Sequence, residues 1–88
     1  MNGRVESIRA RLTTLAPLEL VVEDESHHHV GHAGARDGRG HFRVQIVSAA
    51  FAGLAPLARH RVVYAALGEL MQTDIHALSI QARSPNEV

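Results

Sequence analysis

Histidine is the most unusual chemical resource of this sequence. Seven of its 88 residues are His, and four of those, His27, His28, His29 and His32, fall within six positions. Neutral imidazole ligates Fe, Zn, Cu and Ni alike, so the cluster points to metal chemistry. The plainer reading is a solvated polar loop in which His is filler. An appended affinity tag is a poor explanation, because tags sit at termini and run unbroken, whereas here Ser26 precedes the run and Val30 interrupts it. The other three are His41, His60 and His76. There is no cysteine, which removes disulfides, thiol nucleophiles, Cys-based zinc sites and self-sufficient iron–sulfur sites. No catalytic set is visible either. Ser48 and Ser79 have His elsewhere in the chain, but so would any Ser in a His-rich sequence. The residues describe a binding module sooner than an enzyme.

Short elements must position these groups. Val5, Ile8, Leu12 and Leu15 form one stripe of a helix over Arg4 to Leu15, stopped by Pro17. Leu18 to Glu23 alternates as a strand, with Leu18, Leu20 and Val22 on its apolar side. Asp24-Glu25-Ser26 follows, then an aperiodic stretch to Gly40 holding four of the seven glycines. Loops of that length are functional or disordered. His41 to Ser48 is a second strand, with Phe42, Val44 and Ile46 on one face and His41, Arg43 and Gln45 on the other. His41 therefore either supports a site or is simply exposed. A turn or short helix runs to Gly53, with Ser48 placed to cap it. Pro56 to Gln72 reads as the main helix, its broad stripe made of Leu57, Val63, Tyr64, Leu67, Leu70 and Met71. His60 falls inside that stripe, as a core His would, and Arg59 and Arg61 flank it. Ile75 to Arg83 is the last strand. There His76 shares parity with Leu78, Ile80 and Ala82, which puts it on the apolar side at the strand's open beginning. From periodicity alone that is a half-buried His at the core edge.

The order α-β-β-α-α-β predicts an α+β fold: a three-stranded mixed sheet with the helices on one face. The first two strands pair antiparallel, and the helical crossover makes the last pair parallel. The length admits one domain, with an ordered core over about 4–83, a flexible loop over 26–40 and a polar tail over 84–88 expected to fray. Nine basic residues, all Arg, balance nine acidic ones, so neither bulk nucleic acid nor an anionic membrane is the main partner. No apolar h-region opens the chain and no run reaches a membrane span. The cytoplasm is the default compartment.

Several of these residues fall into short motifs that resemble the BolA-like protein family. The first half carries Asp24-Glu25-Ser26, a His three residues after that Ser, His41-Phe42-x-Val44 and Val47-Ser48. The second carries Phe51-x-Gly53, Arg59-His60-Arg61 with Val63-Tyr64, and Ile75-His76-Ala77-Leu78. The match runs from about residue 5 to about residue 85. The resemblance implies a type-II KH-like fold, in agreement with the element order. It implies a monothiol glutaredoxin as partner and a [2Fe–2S] cluster shared with that protein and its glutathione, in iron–sulfur trafficking or iron regulation. It also implies the ligands: His76, in the family's C-terminal His motif, and the loop His three residues after the Ser, which is His29. His32, His27 and His28 stand in reserve.

A chain without thiolates can bring only imidazoles to such a cluster, so a partner must bring the sulfur. No cluster is expected in the isolated chain. Replacing thiolates by imidazoles raises the reduction potential, and ligating His must be neutral, so the complex is expected to be acid-sensitive. Gly31-His32-Ala33-Gly34 fits the GXXG pattern of nucleic-acid-clamping KH loops but sits between strands one and two, where that loop does not belong. Two rivals stand beside the adaptor. One is a DNA-binding transcriptional regulator using the helix that starts at Pro56, with Arg59 and Arg61 as the partner or nucleic-acid contacts. The other is a His-rich zinc or copper binder using the loop alone. Whether the free chain forms a weak homodimer is left open.

Overall fold

A computed structural model of the protein describes residues 3–26 and 39–88. The elements follow the expected order: α1 (Gly3–Leu12), β1 (Glu19–Asp24), β2 (Gly40–Val47), α2 (Pro56–Leu67), α3 (Leu70–Thr73) and β3 (Ile75–Arg83). Single 3-10 turns lie at Thr13–Leu15, Ala49–Phe51 and Pro85–Glu87. The three-stranded sheet has the order β1-β2-β3. β1 runs antiparallel to β2, and β3 runs parallel to it.

Alternation along β2 builds the core. Phe42, Val44 and Ile46 point to one face and are all buried. Ile8 and Leu12 of α1, Phe51, Val63 and Leu67 of α2, and Ile75 of β3 complete the cluster. The opposite residues, Arg43 and Gln45 of β2, Ser79 and Gln81 of β3, and Glu19 and Glu23 of β1, are exposed. The helices thus cover one face of the sheet and leave the other to solvent.

The structure corrects four local expectations. β1 starts at Glu19, and Leu18 before it is 70% exposed instead of inward. Its amide still meets the Val47 carbonyl at 2.8 Å. The main helix is not continuous to Gln72. Gly68 stands at φ 55°, ψ −126°, a left-handed conformation that glycine reaches without steric cost, and the helix is split there into α2 and α3. The free carbonyl of Leu67 is met by Arg11 Nη1 at 3.3 Å, a C-terminal satisfaction supplied by α1. The broad stripe on α2 is narrower than expected: Val63 and Leu67 are buried, whereas Leu57 and Tyr64 are 63% and 42% exposed. Lastly, the tail expected to fray is folded. Pro85–Glu87 forms a 3-10 turn closed by a capping box with Ser84, and Ser84 is buried.

Candidate functional site

The residues on either side of the His-bearing segment, Ser26 before it and Arg39 and Gly40 after it, are fastened to the beginnings of β2 and β3. The Ser26 amide donates to Asp24 Oδ1 at 2.9 Å, and its Oγ accepts the His41 amide at 3.0 Å. The Glu25 amide donates to the His41 carbonyl at 2.8 Å, and the Gly40 amide to the Asp74 carbonyl at 2.9 Å. Only glycine admits this closeness at position 40, because a Cβ there would lie 2.6 Å from Ser26 Oγ and 2.7 Å from the Phe42 ring.

His76 sits at the same place, and the sheet turns it outward. Gly40 pairs with Ile75 and His41 with Ala77, so β3 carries His76 as an extra residue in the ladder. Such an irregularity breaks the alternation of faces. Ile75 is buried and His76 exposed, although His76 shares parity with the inward-facing Leu78, Ile80 and Ala82. The expectation of a half-buried His on the apolar side is therefore corrected.

Two residues from the start of β2 flank it. Arg39 Nη2 lies 3.4 Å from His76 Nδ1. A guanidinium only donates, so Nδ1 is the unprotonated nitrogen in this contact. The His41 ring is half-buried, with its centroid 5.2 Å from that of His76 and the planes inclined by 48°. A cavity of about 230 Å³ lined by Glu25, His41, Phe42, Ala77, Leu78 and Ser79 opens alongside. His41 is thus half-buried beside His76 and not simply exposed. Arg39 was not singled out by sequence: it ends an aperiodic stretch, and nothing local announces its approach to β3.

His29, His27, His28 and His32, and the Gly31 to Gly34 pattern, lie outside the described residues. Among the described residues, no three His, Asp or Glu side chains converge as a complete metal set. The donors present there are imidazoles, suited to an iron or zinc ion whose remaining ligands come from elsewhere.

The α2 candidates stand apart in chemistry. The Arg59 side chain is only 12% exposed. Its Nε donates to the Leu54 carbonyl at 2.8 Å and Nη1 to the Ala82 carbonyl at 3.0 Å. The guanidinium also grips Glu87 through two bonds of 2.6 and 2.7 Å. That grip, aided by the Ser84 amide, holds the Glu87 carboxyl down at about 2. Arg59 is thus a staple between α2, β3 and the C-terminal turn, while Arg61 is exposed. His60 is half-buried, not a full core residue, and faces a cavity of about 160 Å³ with Pro56, Arg59, Ile80 and Ala82.

Comparison with known proteins places these residues in a wider set. The family model described as BolA-like protein matches residues 12–87. The chain is 44% identical over 91 residues to Protein BOLA1, chloroplastic, of Arabidopsis thaliana, covering 99% of this chain and 57% of that protein. It is 48% identical over 85 residues to BolA-like protein 1 of Homo sapiens, covering 94% of this chain and 60% of that protein. It therefore spans somewhat over half the length of these relatives. The solved BolA domain of SufE1 from Arabidopsis thaliana superposes with a TM-score of 0.87 at 42% identity, over 100% of this chain and 99% of that one. No helix among the described residues is long and apolar enough to cross a membrane.

Proposed function

The chain belongs to the BolA-like protein family, and from that premise we propose that it is a non-enzymatic adaptor. It pairs with a monothiol glutaredoxin and carries a [2Fe–2S] cluster jointly with that partner and its glutathione, in iron–sulfur trafficking or iron regulation in the cytoplasm. His76 supplies one imidazole and His29 the other. The cluster is cargo here, and its sulfur ligands come from the partner side.

The observation that carries this is the position of His76. It is exposed, at the sheet end to which both ends of the His-bearing segment are bonded. His29 follows Ser26 by three residues, so the chain between them spans at most roughly 10 Å. This reading joins His76 to a second imidazole within that reach of Ser26, with no thiolate, and that is the half-set a partner with thiolates would complete. An exposed imidazole at the start of a strand can be presented to a second protein without unfolding anything. Arg39, beside it, adds a positive charge where anionic thiolates would approach.

The test is anaerobic co-purification with a monothiol glutaredoxin, glutathione and iron. A coloured heterodimer is expected, and His76→Ala should weaken it and change its visible absorption. An identical spectrum and yield in that variant would overturn the assignment. Salt-steep, micromolar binding of DNA by the isolated chain would instead favour a DNA-binding regulator.

A further inference from the structure

We propose that His41 and His76 together form a mononuclear site for a tetrahedral divalent cation, Zn2+ being the ion that fits, which the chain holds without any partner. The two rings start adjacent parallel strands, paired from His41 with Ala77 through Val47 with Arg83. The strand pairing therefore fixes how far apart their backbones stand.

The spacing is compatible with one shared ion. With metal–nitrogen bonds of about 2.0–2.1 Å, two imidazoles on a tetrahedral ion have centroids roughly 5.2 Å apart, and two cis imidazoles on a square-planar ion roughly 4.5 Å. The observed centroid separation is 5.2 Å, close enough for both rings to reach one tetrahedral ion. His76 is exposed, so water can complete the shell and the ion has an entry path. Nδ1 of His76 also already faces a cationic group, Arg39 Nη2, at 3.4 Å. The ion would replace that donor at the same nitrogen.

Two protein ligands of four give micromolar, not structural-zinc, affinity. An ion bound there takes the same imidazole that the adaptor reading assigns to the shared cluster, so zinc loading and cluster assembly exclude one another.

The test uses the full chain with His27, His28, His29 and His32 all replaced by Ala, its fold checked by circular dichroism, titrated with zinc chloride by calorimetry. One Zn2+ per chain is expected, with long-range proton–nitrogen spectra shifting the rings of His41 and His76 and leaving His60 still. His76→Ala or His41→Ala in that background should weaken binding at least about tenfold. His41→Gln is the second variant should the half-buried ring matter to folding. Arg39→Ala removes the competing cation and should tighten binding. No saturable zinc uptake, a response confined to one ring, unchanged affinity in His41→Gln, or weaker binding in Arg39→Ala would each overturn the proposal. Iron and glutaredoxin are absent throughout, so this result and the co-purification above can fail independently.

Discussion

Ser48 shows how much one hydroxyl holds in a small domain. It is almost fully buried, donates to the Leu15 carbonyl at 2.6 Å and accepts the Ala50 amide at 3.0 Å. Its own amide meets the Arg83 carbonyl at 2.9 Å. One residue therefore ties the end of the first helical segment, the turn after β2 and the end of β3. Ser48→Ala strands a buried acceptor and removes an N-cap, so a loss of about 1–3 kcal/mol is expected in urea unfolding. The Arg59–Glu87 grip makes a second prediction at this scale, in pH. The Glu87 carboxyl lies at about 2 in the folded chain, below its ordinary 4.5, because ionised carboxylate is the form the guanidinium bonds. Its stabilisation is therefore complete above about 4.5 and lost as pH falls through about 2. Glu87→Gln should be less stable than the parent near neutrality, and the gap should close between those limits in acid unfolding followed by circular dichroism.

At the scale of elements, two backbone positions decide where helices end. Ala16 sits in the left-handed region at φ 52°, which costs an L-residue of this kind about 1–2 kcal/mol. Ala16→Gly removes that strain but loosens the unfolded chain, so a net gain of about 0.5 kcal/mol is expected in thermal unfolding. Gly68→Ala should do the reverse. Its φ of +55° strains any side chain, and the new Cβ would lie 3.1 Å from Arg11 Nη1. A loss of about 1–3 kcal/mol is expected by the same measurement. The helix over 56–72 was legible in outline because its apolar spacing is local. Its interruption was not, because a lone glycine inside a helical pattern is ordinarily tolerated. The same distinction applies to β3. Its limits followed from period-two alternation, while the facing of His76 depended on an extra residue opposite β2, a property of the pair and not of the strand.

For the whole molecule, charge and layering set what can dock. The formal charge is zero, and of the two cations on α2 Arg59 spends its donors inside the domain, leaving Arg61 exposed. The isolated chain should therefore show no DNA binding tighter than about 100 μM at physiological salt, by fluorescence anisotropy. The helices cover one sheet face only, so the site at the start of β2 and β3 stays open at the end of the sheet.

Alone, the sequence determined the order of elements, the mixed sheet, most of the buried face and the family motifs, because each follows from a period or spacing within a few residues. Only the tertiary structure decided that His76 faces solvent, that His41 and Arg39 stand beside it, and that the tail is fastened by Arg59. Those facts come from pairing between segments distant in the chain. Side-chain alternation cannot foresee them, since a single added residue in a parallel ladder reverses which way an imidazole points.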